Sequence, residues 1–173
     1  MTRAAGRRPS SKARRKQKRP ALVAPAGARQ PVLIGAGASG VEAQVRERAP
    51  THALAVVGYY CPASIVGAPG LVPTPTGHPA QALKWNTRAA DATLLLAPDE
   101  RLYGRARAAQ DWCQRYRKRW LLLTPQSFDA DRLRGWLRTL PPKRLQITGP
   151  LAHQADLSAL LAQVLAVLAG ADA

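Results

Sequence analysis

Residues 31–40 read Pro31-Val32-Leu33-Ile34-Gly35-Ala36-Gly37-Ala38-Ser39-Gly40. A short apolar run without polar alternation passes directly into three glycines in G-x-G-x-x-G spacing, and the segment 39–48 behind them reads as a helix. Strands covered on both faces have this texture. Glycines permit the tight turn that follows and let backbone N–H groups come close to a ligand. The helix N-terminus behind the turn adds partial positive charge, so a phosphate-bearing anion suits the arrangement. Ser39 either caps the helix or donates its hydroxyl to the ligand. The spacing alone is weak, and a plain βα turn also produces it; strand–loop–helix context gives it weight.

The same texture continues downstream. Apolar runs at 53–57, 92–96, 120–123 and 145–148 alternate with helical segments at 80–90, 104–118, 129–138 and 154–168. This order predicts an α/β fold: one Rossmann-like three-layer domain over 31–170, with a parallel sheet of about five strands. Pro62, Pro69, Pro73, Pro75 and Pro79, with Gly67, Gly70 and Gly77, predict a long loop over 62–79. The apolar last helix suits either the core or a homo-oligomer interface.

Charge is unevenly spread. The formal net charge of the 173 residues is +16. Up to residue 20 the basic residues are Arg3, Arg7, Arg8, Lys12, Arg14, Arg15, Lys16, Lys18 and Arg19, and no acidic residue occurs. Residues 1–30 hold too little apolar surface to offset the entropy of ordering, which predicts a disordered basic tail. Such a tail favours polyanions, nucleic acid among them, through residues 1–20. Its composition is that of a cytoplasmic protein with a basic arm, or alternatively of an organellar transit peptide. Pro9 and Pro20 argue against the amphipathic helix of the latter. No apolar stretch of ~18 residues is present, so no membrane span is expected.

Cys61 and Cys113 lie far apart and form neither a disulfide framework nor a metal pattern, which reads as two free thiols in a reducing compartment. His52, His78 and His153 show no metal-ligand spacing. A dinucleotide fingerprint of the NAD type wants an acidic residue ~20 positions after the glycines. Between Glu47 and Asp91 there is no Asp or Glu, which disfavours NAD.

Four motifs in register carry a resemblance to a known family. Residues 35–42 (Gly-Ala-Gly-Ala-Ser-Gly-Val-Glu) resemble the Ser-Gly-Gly-Gln-Thr-Gly-Val-Asp loop of the putative molybdenum carrier family. Those proteins are Rossmann-like relatives of the Lonely Guy-type and DNA-processing protein A groups. Gly58-Tyr59-Tyr60-Cys61-Pro62 resembles the family's Gly-Gly-Trp-Cys-Pro. Trp85-Asn86-Thr87-Arg88, followed by Asp91-Ala92-Thr93-Leu94, resembles Trp-Asn-Val-Arg-x-Ser-Asp-Gly-Thr-Leu. Thr148-Gly149-Pro150 resembles Ala-Gly-Pro before the last helix. The family's second glycine motif, Gly-Gly-Thr, stands here as Tyr103-Gly104-Arg105. The phosphoribohydrolase signature of the Lonely Guy-type proteins, with its glutamate, is missing.

The resemblance implies a non-catalytic carrier or binding protein. Its ligand would be the molybdenum cofactor (a phosphorylated pterin) or another phosphorylated nucleotide-like molecule. The implied cofactor-binding residues are Gly35, Ala36, Gly37, Ala38, Ser39, Gly40, Glu42, Tyr60, Cys61, Asn86, Arg88, Gly104 and Arg105. Arg105 would act as a charged clamp on phosphate. For Tyr59, Tyr60 and Cys61 two readings stand: stacking on a pterin or purine ring, or packing against the proline-rich loop. Asn86 and Arg88 read as ligand contacts, with holding a loop together as the other reading of Asn86, and Trp85 reads as a packing residue. Two other functions stay in view: a nucleic-acid-binding protein using the tail, and a nucleotide N-glycosidic hydrolase with Glu42 or Asp91 as its acid or base.

Overall fold

The apolar run after Pro31 forms β1 (Val32–Ile34), buried at every position. Such complete burial needs cover on both faces, and the remaining elements supply it. In this computed structural model residues 19–24, 30–65 and 69–170 are described. They form α1 (Gly40–Arg48), β2 (Val56–Tyr60), β3 (Leu71–Pro73), α2 (Pro79–Ala89), β4 (Ala92–Leu96) and α3 (Gly104–Arg115). β5 (Arg119–Leu123), α4 (Ala130–Thr139), β6 (Arg144–Thr148) and α5 (Ser158–Leu168) complete the domain.

The strands make a six-stranded sheet in the order β3-β2-β1-β6-β4-β5, with every pairing parallel. Alternate residues feed opposite faces, as the pleat requires. Leu33, Leu94, Leu96, Leu145 and Ile147 enter the core shared with α1, α4 and α5. Val32 and Ile34, on the other face, pack with Ala89 of α2, and Leu95 packs with Leu83 of α2 and Ala109 of α3. This is a Rossmann-like α/β fold. α5 contributes Leu160, Leu161, Val164, Leu165 and Leu168 to the core, so its apolar character is used inside the domain.

The sheet has one strand more than the apolar runs indicate. β3 lies inside the stretch expected to be loop and pairs with β2, Gly58 opposite Leu71 and Tyr60 opposite Pro73. Proline lacks an N–H and is tolerated at the end of an edge strand, where no further ladder is built on it. The second strand also starts later than expected. A 3-10 turn over Ala49–His52 and left-handed Ala53 use up its first residues, so Tyr59 and Tyr60 fall inside β2. α5 starts at Ser158 because 151–156 is occupied by side-chain-bonded turns. Gln154 Oε1 accepts from Leu151 N–H at 3.0 Å, and Asp156 Oδ1 accepts from Ser158 N–H at 2.9 Å.

Residues 19–24, assigned by composition to the tail, pack on the α2 face. Leu22 is buried among Val32, Ile34, Val57 and Tyr59. Arg144 Nη2 donates to the Leu22 carbonyl at 3.1 Å, Arg19 Nη1 to the Trp85 carbonyl at 3.3 Å, and the Tyr59 hydroxyl to the Pro20 carbonyl. Burial raises the pKa of that hydroxyl against the opposing pull of Arg19 and Arg144, so it remains a donor. The rest of the expected tail, 1–18 and 25–29, lies outside the described residues. No described helix is long and apolar enough to cross a membrane.

Candidate functional site

The glycine turn caps the carboxyl end of β1. Gly40, the first residue of α1, has φ +68°, the left-handed region that favours glycine. It also lies against the 150–151 backbone, where a Cβ would come within 2.7 Å of Leu151 Cα. Gly37 is required for a different reason: a Cβ there would stand 2.7 Å from both Cβ and Oε2 of Glu42. Arg46 Nη1 holds the turn from behind by donating to the Gly37 carbonyl at 3.0 Å. Ser39, at the N-cap position, makes no side-chain capping bond.

Glu42 lies under this turn, 2% exposed. Arg105 grips it with two parallel bonds, Nε to Oε1 and Nη2 to Oε2, each 2.7 Å. The Thr148 hydroxyl donates to Oε1 at 2.6 Å. One carboxylate thereby ties α1, α3 and β6 together. Burial by itself pulls the Arg105 guanidinium down, but the Glu42 charge and hydrogen bonds outweigh it and hold Arg105 above its ordinary pKa. This alters the clamp expected from sequence. Two of the five guanidinium N–H groups serve Glu42, leaving three for any ligand. Thr148 was visible in the sequence only as part of a motif, with nothing to mark it as a partner of Glu42.

Beside the turn is an open cavity of about 300 Å³, walled by 36–39, by Cys61 and Ser64 after β2, by Pro79 and Ala82 of α2, and by Arg105 and Leu151. It lies at the carboxyl ends of the strands, the edge at which open α/β sheets bind ligands. Its walls are mostly apolar, with Ser39, Ser64 and Arg105 as polar groups.

Of the residues singled out from sequence, Ala36, Gly37, Ala38, Ser39, Cys61 and Arg105 meet at this cavity. Gly35, Gly40 and Glu42 support it from behind. Tyr60 is half-buried at the end of β2, its carbonyl accepting from Thr74 N–H at 2.8 Å, and it does not line the cavity. Tyr59 packs edge-on against Trp85, ring centroids 5.2 Å apart, which makes both of them packing residues. Gly104 is exposed at the start of α3, beside Gln154. Arg88 does not join the site. α2 begins at the cavity with Pro79 and Ala82, and Arg88 is exposed in its last turn, towards the opposite edge of the sheet. Asp91 is exposed and accepts from the backbone N–H groups of Lys143 and Arg144 at that same edge.

Asn86 has a structural task. β1 turns away after Ile34, so the β1-facing backbone groups of Tyr59 have no strand partner. Asn86 stands in: Oδ1 accepts from Tyr59 N–H at 2.7 Å and Nδ2 donates to the Tyr59 carbonyl at 3.0 Å. A carboxamide offers a donor and an acceptor in one plane, as a peptide group of a neighbouring strand would. Asn86→Ala leaves two buried backbone groups unpaired and is expected to cost about 2–3 kcal/mol, read by urea unfolding. A loss within error of zero contradicts the strand-mimic role.

Cys113 is fully buried, and burial pushes its thiol up against the opposing effects of Thr93 and Lys118, which suits a packing residue. No group of three or more His, Cys, Asp or Glu stands together among the described residues.

A parallel sheet with helices on both faces and a glycine turn over a cleft at its carboxyl edge defines a Rossmann-like protein. More narrowly, the chain belongs to the circularly permutated YpsA SLOG family, whose profile matches residues 33–168. It is similar to the crystal structure of a putative molybdenum carrier protein from Syntrophus aciditrophicus. That likeness has a TM-score of 0.68 at 18% identity and covers 82% of this chain and 94% of the other, which shows a shared fold. No curated protein matches.

Proposed function

We propose that this chain is a non-catalytic binding or carrier protein for a phosphate-bearing, nucleotide-like ligand, with the molybdenum cofactor as first candidate. The observation that carries the reading is the cavity between the glycine turn and Arg105, mostly apolar as a ring requires, with Ser39, Ser64 and Arg105 as its polar groups. The name of the Syntrophus aciditrophicus neighbour and the sequence resemblance support the pterin candidate. The carboxylates argue against hydrolysis. Glu42 is closed into an ion pair with a third hydrogen bond, and Asp91 lies at the other edge of the sheet.

A thermal-shift screen of the full chain against molybdopterin, molybdate, AMP and inorganic phosphate tests this. A ligand at 100 times its Kd stabilises the fold by about 2.7 kcal/mol, a rise of roughly 5–10 °C. Molybdopterin and AMP should both raise Tm, and Gly37→Val should abolish the rise. Flat melts with every compound at millimolar concentration would sink the reading. A second reading, nucleic acid held by residues 1–20, rests on the nine cations there. Short DNA in the same screen addresses it, since tail-driven binding must weaken steeply with salt.

A further inference from the structure

A second cavity of about 360 Å³ opens beside the first. Its floor and walls are small and apolar (Ala97, Pro98, Ala106 and Pro150), and Arg101, Tyr103 and Gln154 stand at its rim. It lies between the segment leaving β4 and the segment leaving β6. These strands are neighbours, yet the first leads to α3 on one face of the sheet and the second to α5 on the other. The two segments diverge and leave a crevice, the place where open α/β sheets take ligands.

Three features of this crevice point to a ring-shaped occupant. Tyr103 lines it and is 58% exposed, one of the few large apolar side chains left open among the described residues. Arg101 is exposed, and its guanidinium has no partner among the described residues. The small wall residues leave room for a flat group against the phenol ring, and aromatic faces stack on heteroaromatic rings with little regard to their identity. Adjoining residues divide the two cavities: Tyr103, Ala106 and Pro150 line the second, while Arg105 and Leu151 line the first. Arg105, with three guanidinium N–H groups beyond those given to Glu42, stands beside this boundary.

We propose that the second cavity is a ring-binding subsite in which Tyr103 stacks on a planar heteroaromatic group. The ligand class is then a two-ring compound joined by a phosphate bridge, one ring in each cavity and the bridge over Arg105. NAD is the disfavoured member, since the acid that would hold its ribose is missing between Glu47 and Asp91. This rests on the first cavity being a phosphate-ligand site and narrows that reading to a ligand reaching across the divider.

The experiment compares AMP with P1,P2-di(adenosine-5′) diphosphate by isothermal titration on the full chain, as wild type, Tyr103→Ala and Tyr103→Phe. Tyr103 is exposed, so the variants should keep the wild-type Tm, which is measured alongside. The bridged compound should bind about tenfold more tightly than AMP to the wild type. Tyr103→Ala should erase that advantage and leave AMP affinity unchanged, and Tyr103→Phe should retain it. If AMP binds and the bridged compound binds no better, the subsite is refuted while the phosphate-ligand reading stands. An advantage that survives Tyr103→Ala refutes the stacking role. If neither compound binds, both readings fail for nucleotides.

Discussion

Arg105→Leu should lower the stability of the folded chain by about 3–5 kcal/mol, because it leaves Glu42 charged, buried and without its cation. Glu42 is 2% exposed, and its oxygens sit in a pocket closed by Arg105 and Thr148. Much of the loss is therefore the cost of an orphaned charge and says little about the net value of the pair. The double variant Glu42→Gln/Arg105→Leu separates the two. It removes the charge but keeps an acceptor for the Thr148 hydroxyl, and should recover more than half of the loss. Urea unfolding of the four members of the cycle measures the coupling. A single-variant loss under about 1 kcal/mol would mean that solvent reaches the pair. The pH behaviour follows from the direction of the Arg105 shift. A cation whose folded pKa lies above its unfolded value contributes fully at every pH below the unfolded value, and the contribution disappears only above it. Arg105 therefore adds no slope to stability across the neutral range.

Gly40→Ala should cost about 3 kcal/mol or more and remove the rise in Tm with AMP that the proposed function expects. Two penalties combine at this position. The backbone sits at φ +68°, where any side chain is strained, and the new Cβ would meet Leu151 Cα at 2.7 Å and Leu151 C at 2.9 Å. Backbone atoms cannot move aside as a flexible side chain does, so the 150–151 segment must shift. Leu151 is itself a wall of the cavity, and the shift changes the binding space. Gly135 provides the contrast. It lies inside α4, and nothing stands within 4 Å of its missing Cβ. Gly135→Ala should therefore stabilise by about 0.5–1 kcal/mol through helix propensity. Melting curves of the two alanine variants, with and without AMP, test both. Equal Tm values would show that the strain at Gly40 is not real.

How far the site was legible depended on whether the signal was local. The turn at 35–40 could be read because apolar run, glycines and helix follow one another in the chain. Cys61 and Arg105 were picked out through motif positions, and both reach the cavity. Arg88 came from the same kind of motif and sits two residues beyond Asn86, but helix geometry carries it away from the ligand edge. Asn86 stands in the same Trp-Asn-x-Arg motif as Arg88, which gives it a ligand or a loop-holding role. Its actual use, completing β2 where β1 leaves the sheet, depends on which strands are neighbours. β3 was hidden by its own composition, since proline and glycine around a three-residue strand look like loop.

From the sequence alone came the α/β class, the order of most elements and the position of the glycine turn. Apolar periodicity and tolerance of left-handed backbone are properties of neighbouring residues and need no partner. Tertiary structure decided the rest. The strand order places β6 beside β1, so Thr148 reaches Glu42 across 106 residues of chain. Arg105 reaches it across 63. Burial of that carboxylate engages two of the five N–H groups of Arg105 in an ion pair, and burial of Leu22 draws residues 19–24 onto the sheet. Both effects are energies of removal from water, set by what packs around a group. No local pattern encodes them.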